Sequence, residues 1–208
     1  QAPNPEAGVP RSLAEVSVAP RPGVEYFTSP EDWADQVLYS VILDRFARAA
    51  PYRTWGAATQ PRSRHGGNLR GLTDKLPYIQ QLGATAVLIS PVVLGLEYHG
   101  YCPINLLAVD PFLGTMRDLQ EMVRTAHGLG LRVIMDFVIN HMGPVFSYEG
   151  DPQYKQGQQL PVKGQWDHPV APSEMADLAM YNGQGVIADW DDPRQIVEGD
   201  FPPNYRKY

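Results

Sequence analysis

The chain has 208 residues, of which 43% are hydrophobic and 19% charged, enough apolar mass for one large domain or two small ones. Its formal net charge of -6 argues against a nucleic-acid partner, since such proteins carry a basic face. The longest apolar run, 86–96, is interrupted by Ser90, Pro91 and Gly95 and falls well short of a membrane-spanning helix, so no membrane partner is expected. The single cysteine, Cys102, excludes an intrachain disulfide, and no Cys/His zinc spacing occurs.

Residues 1–23 hold Pro3, Pro5, Pro10, Pro20 and Pro22 without helical or strand period and read as a tail or linker. The chain opens on Gln1 rather than methionine, which fits a cleaved secretory signal or a trimmed start. The expectation drawn from it is a secreted or periplasmic protein.

The segment from Gln36 to Phe46 is apolar and rich in β-formers, which predicts a buried strand. A connection of about twenty residues follows, and loops of that length inside a domain are usually functional. Leu69, Leu72, Leu76, Ile79 and Leu82 then recur at helical spacing, with Asn68 as the N-cap and Gly83 as the stop. Ala84 to Ser90 predicts a second buried strand. A second helix starts behind Thr115, whose partner three positions on is Asp118, and presents Met116, Leu119, Met122, Val123, Ala126 and Leu129 on one face. The run from Leu131 to Ile139 predicts a third strand. Strand, helix, strand, helix, strand with short helix-to-strand joints indicates a parallel sheet covered by helices. The long strand-exit connections point to function at the carboxyl ends of the strands. From 142 to 208 no period persists, and the segment reads as a small irregular domain hung from the third strand.

Three clusters carry chemistry. Asp136, Asn140 and His141 sit at the carboxyl end of the third apolar run, and strand alternation puts Asp136, Val138 and Asn140 on one face. A buried carboxylate needs a partner, so the pattern fits a satisfied strand-end turn and a site equally. Tyr98-His99-Gly100-Tyr101 offers aromatic faces for a pyranose and imidazole nitrogens for its hydroxyls, although alone it reads as a loop packing on a rim. Asp189, Asp191, Asp192 and Asp200 could supply calcium oxygens, but such runs are more often solvated turns. No GxGxxG, P-loop, GxSxG or HExxH occurs, so no organic cofactor is expected. An aldolase-type barrel of the Schiff-base kind lacks a lysine at any strand end.

Taken in order, "YSVILDRF", "HGGNLRGLTDKLPYIQQLGATAVLISPV", "YHGYCPINLLAVDPFLGT" and "AHGLGLRVIMDFVINH" resemble the α-amylase superfamily of glycoside hydrolases, family thirteen, collinearly across residues 37–142. The later "DWDDP" and "GDFPP" are similar to the B domain that family inserts after its third barrel strand. The resemblance implies an α/β fold, a partial (β/α)8 barrel of three strands and two helices over 24–141, with a B-domain-like insertion over 142–208. It also implies retaining chemistry on an α-glucan or maltooligosaccharide, by hydrolysis or transglycosylation. By the same resemblance, His141 matches the histidine that hydrogen-bonds the sugar at the cleavage subsite. Tyr101 matches the stacking tyrosine, with His99 beside it. Asp136 matches the bracing aspartate, and Asn140 a calcium ligand of those members that bind calcium.

This sequence departs from the family at several points. Cys102 stands where tryptophan is usual after the stacking tyrosine, and Asn105 where aspartate is usual. The loop 47–56 has no Asp or Asn, and "MADLA" places Ala179 where the family has an oxygen ligand, so structural calcium is an expectation resting on Asn140 and the insertion's aspartates. Retaining glycosidases need a nucleophile and an acid about 5–5.5 Å apart. The Gly-x-Arg-x-Asp context that carries the family's nucleophile is absent. Both carboxyl groups are therefore expected after Tyr208, in a C-terminal remainder of the same catalytic domain. The alternative is a non-catalytic sugar-binding or assembly module derived from that fold.

Overall fold

The computed structural model describes residues 7–20, 22–150, 152–163 and 170–201, and the backbone of 206–207. Gln1, Pro3, Pro5, Pro202 and Pro203, which the sequence reading used, lie outside the described residues.

Three short parallel strands, β1 (Leu38–Val41), β2 (Ala86–Ile89) and β5 (Arg132–Met135), form one sheet in the order β1-β2-β5. The register aligns Tyr39 with Val87 and Val133, and Val41 with Ile89 and Met135. On the face carrying Val41, Val87 and Ile89 pack two helices, α2 (Leu69–Gln81) and α3 (Met116–Gly128). Leu72, Leu76, Ile79, Met122 and Ala126 are fully buried there, each large side chain contributing about 1.5–3 kcal/mol of apolar burial. The opposite face is left open in part: Leu38 is exposed, and Leu88 and Ile134 are half-buried.

Both helices begin where the sequence places them. Asn68 accepts from the amide of Gly71 at 2.8 Å, satisfying an orphan donor of the first turn. Thr115 and Asp118 form a reciprocal capping box, with bonds of 3.1 and 2.8 Å. Gly83 and Gly130 stop the two helices at positive φ.

The strands are shorter than their apolar runs. The first run breaks at Ile42 into a helical turn, α1 (Leu43–Phe46), and the third strand stops at Met135. The cause is the neighbour. β2 ends at Ile89, whose carbonyl takes the amide of Asp136 at 3.0 Å, and beyond it no ladder remains for residues 137–139. Ile139 is accordingly 78% exposed.

The connection after β2 is not a plain loop. It folds as an antiparallel pair, β3 (Val93–Gly95) and β4 (Pro103–Val109), with two register shifts. A second core joins Leu94, Ile104 and Ala108 of this pair to Met142, Val145, Phe146, Tyr148, Leu160 and Tyr181 of the irregular segment. Phe146 is its centre, meeting Tyr148 and Tyr181 edge-on with centroids 5.5 and 5.4 Å apart. The segment also contains a short α4 (Pro193–Glu198) and a ladder between β6 (His141–Met142) and β7 (Arg206–Lys207). Part of the N-terminal tail is docked as well: Ser12 Oγ donates to Glu174 at 2.6 Å, and Ser173 donates its amide to the Arg11 carbonyl.

Candidate functional site

The carboxyl ends of β2 and β5 bring the sequence-selected residues together. Gly100 takes φ +85°, and a Cβ there would lie 2.4 Å from the Pro91 carbonyl oxygen, so this turn admits glycine alone. It turns the chain so that Tyr101 donates its amide to His99 Nδ1 at 3.0 Å. The Tyr101 hydroxyl donates to Asp136 Oδ2 at 2.7 Å. That hydrogen bond, with burial and the carboxylate charge behind it, pushes the phenol pKa up to about 12. Tyr101 is therefore a fixed donor across the working pH range.

His141 closes the string from the other side. Its Nε2 lies 2.9 Å from the Tyr101 carbonyl oxygen, and its Nδ1 lies 3.2 Å from the Asn140 amide nitrogen. A carbonyl only accepts and an amide NH2 only donates, so Nε2 carries the proton and Nδ1 is the acceptor. His99, accepting at Nδ1, carries its proton on Nε2. Burial lowers its pKa, and Arg64, Arg62 and Arg45 act in the same direction against Glu97. Its neutral form is thereby favoured. Asp136 is half-buried rather than enclosed, and Tyr101 is 37% exposed, so the tyrosine ring and both imidazoles line an open surface.

Two anchors beneath this surface escaped the sequence reading. Asp44, buried at the exit of β1, accepts the amides of His65 and Gly66 and pairs with Arg45. Arg64 is buried and donates to the carbonyls of Gly95 and Glu97 and to Asp110 Oδ2, at 3.0, 3.2 and 2.9 Å. It thus holds the stretch that leads into Tyr98. Arg45 in turn lies 3.8 Å over the Tyr98 ring. The one signal available in sequence was the acid-free run 45–73, whose arginines need carboxylates from elsewhere.

Four of the candidate calcium ligands have partners within the protein. The Asn140 amide is turned to His141. Asp189 caps the Asp191 amide, Asp192 caps α4, and Asp200 accepts from the Tyr148 hydroxyl inside the second core. Among the described residues no group of three His, Cys, Asp or Glu side chains is placed to hold a metal ion. Cys102 is fully buried, and Asn105 spends its side-chain oxygen on the Leu107 amide.

A parallel strand-helix sheet with its polar groups gathered at the strand exits defines one end of an α/β barrel. Residues 40–193 match the family model for the alpha amylase catalytic domain, and the chain belongs to that family of glycoside hydrolases. It is a partial (β/α)8 barrel. The chain is 35% identical over 130 residues to neopullulanase 2 of Thermoactinomyces vulgaris, covering 59% of this chain and 22% of that protein. It is 40% identical over 179 residues to the beta/alpha-amylase of Paenibacillus polymyxa, covering 81% of this chain and 14% of that protein. Among solved structures, an alpha-amylase from Geobacillus thermoleovorans superposes with a TM-score of 0.63 at 27% identity, over 86% of this chain and 34% of the other. The chain thus spans less than a quarter of these two curated relatives.

Proposed function

We propose that residues 38–141 form the sugar-gripping side of an α-glucan-acting retaining catalytic domain whose acid and nucleophile come from later strands of the same barrel. The observation that carries this reading is the string Asp136–Tyr101–His141, tied by bonds of 2.7 and 2.9 Å at the strand exits. Membership of the family and a structural neighbour described as complexed with acarbose support it.

In this reading Asp136 does not attack the substrate. It fixes the tyrosine ring, which offers its apolar face to a glucosyl unit. His141 has one nitrogen on the Tyr101 carbonyl and the other on the Asn140 amide. Asn140 is exposed, so a sugar hydroxyl replaces its amide at Nδ1 by donating a proton there. The imidazole then orients the sugar without moving a proton of its own. Protonation of the leaving oxygen and attack at the anomeric carbon require the two further carboxyl groups, about 5–5.5 Å apart. Hydrolysis and transglycosylation differ only in whether water or a sugar hydroxyl resolves the intermediate.

The test is a paired assay with maltoheptaose. Residues 1–208 bind it and release no product, whereas a polypeptide in which they continue into the remaining strands cleaves it with retention. Enzyme-like cleavage by the purified 208-residue chain contradicts the division of labour. Absence of binding by the chain, together with inactivity of the longer protein, contradicts the sugar reading altogether.

A further inference from the structure

One guanidinium joins three segments around the candidate site. Arg45 lies on the helical turn α1, directly after β1, and its Nη1 pairs with the buried Asp44 carboxylate. Its Nη2 donates to the Pro61 carbonyl, in the connection between α1 and α2, at 2.7 Å. Its Cζ stands 3.8 Å from the centre of the Tyr98 ring, in the turn between β3 and β4. A guanidinium does all this at once because its donors lie in its plane while its face stays free to stack. A lysine ammonium, a point charge without a flat face, cannot.

The turn gripped at Tyr98 is the one that delivers the sugar-facing groups. Tyr98 and His99 are both half-buried, and their rings meet edge-on with centroids 5.0 Å apart. Gly100 donates its amide to the Glu97 carbonyl at 3.2 Å, and Tyr101 donates its own to His99 Nδ1. Arg64 fixes the entry of this turn through the Gly95 and Glu97 carbonyls, and Asp136 and His141 fix its exit at Tyr101. Arg45 holds the middle, through a ring rather than a backbone atom. Without it the Tyr98 ring is free to leave the edge of His99, and water reaches the imidazole. The charges that face His99 act in concert with this packing: Arg64, Arg62 and Arg45 oppose Glu97 and favour the neutral ring, to which burial contributes most. Only the neutral ring accepts the Tyr101 amide at Nδ1.

We propose that Arg45 is a positioning residue for the sugar-gripping surface: acting through the Tyr98 ring, it holds the His99–Tyr101 turn in the shape that presents both side chains to a glucosyl unit. The inference rests on the α-glucan reading for its sugar and on the Arg45–Tyr98 stack for the rest.

Two measurements test it. The first is the titration of the His99 imidazole by NMR in the 208-residue chain, assigned with His99→Gln. Arg45→Ala moves the midpoint up towards the ordinary value of about 6.5, and Tyr98→Leu, which removes no charge, moves it the same way. The second is a double-mutant cycle on maltoheptaose cleavage by a polypeptide in which residues 1–208 continue into the rest of the barrel. Arg45→Ala and Tyr98→Leu each lower kcat/KM about tenfold, equivalent to about 1.4 kcal/mol and within the range of a partly desolvated cation–π contact. The double variant falls no further than either single one. Arg45→Ala also lowers the unfolding midpoint, because Asp44 loses its partner, whereas Tyr98→Leu leaves that ion pair in place. Losses that multiply in the double variant, or a His99 midpoint that Tyr98→Leu leaves at its wild-type value, overturn the proposal. A wild-type polypeptide that does not cleave maltoheptaose overturns the α-glucan reading instead, and the titration then still decides whether Arg45 sets the turn.

Discussion

Removing the carboxylate of Asp110 is the sharpest perturbation of the scaffold beneath the site. The Arg64 and Asp110 side chains are 4% and 2% exposed and meet at 2.9 Å. Arg64 Nη1 is buried without a hydrogen-bond partner, so the guanidinium already depends on this one counter-charge. Asp110→Ala leaves a buried, unpaired cation, at a cost of about 3–5 kcal/mol. For a chain of this size that lowers the melting temperature by roughly 10 °C. The exposed pair Arg124–Glu121 provides the internal control: Glu121→Ala costs at most about 0.5 kcal/mol. Replacing both buried partners, Arg64→Met with Asp110→Leu, recovers most of the loss, although the Phe112 amide that Asp110 accepts at 2.9 Å stays unsatisfied. Urea and thermal unfolding followed by circular dichroism measure all four proteins. An Asp110→Ala variant no less stable than Glu121→Ala contradicts the dependence of Arg64 on this carboxylate.

Gly67→Ala places a Cβ 2.1 Å from the Leu43 carbonyl oxygen, so backbone must move and stability drops by about 3 kcal/mol in the same unfolding assay. Asp118→Ala removes the capping box and the Arg70 bond, costing about 1–2 kcal/mol by urea unfolding. Burial opposes ionisation of Asp118, but bonds from Arg70 and Thr115 outweigh it and hold its pKa below the usual range. Its contribution is therefore present above about pH 4 and lost as pH falls through the folded value, and Asp118→Asn flattens the acid limb of the stability curve. The His99 pKa is lowered, chiefly by burial, so stability declines as pH falls from about 6.5 through the folded value. His99→Gln reduces that slope, the remainder coming from His127, whose pKa burial also lowers, and an unchanged slope in an acid titration contradicts the assignment.

How much of this was legible in sequence depends on the range of the interaction. Asn68, Gly83 and the Thr115–Asp118 box act within one turn of their own helix, and the spacing alone places α2 and α3. Strand ends answer to a neighbour instead. Phe137 and Ile139 look like a buried strand, yet β2 has run out beside them and they face outward. The alternation argument for Asp136 and Asn140 fails for the same reason, and Asp136 meets Tyr101 because the chain turns at Gly100. The pair β3–β4 was masked by Gly95 and Pro103, which read as loop but face each other across the ladder. The second core has no period because scattered aromatics on irregular backbone build it around Phe146. Arg64–Asp110 spans 46 residues and leaves no local trace.

In the proposed function the Tyr101–His141 surface grips the sugar while the reacting carboxylates lie elsewhere. The most direct measurement is maltoheptaose cleavage by a polypeptide in which residues 1–208 continue into the rest of the barrel, with His141→Ala compared against wild type. The expected result is a fall in kcat/KM of about a hundredfold, the loss of one oriented contact to the reacting sugar, with an unchanged unfolding midpoint. A His141→Ala enzyme that cleaves at the wild-type rate contradicts it.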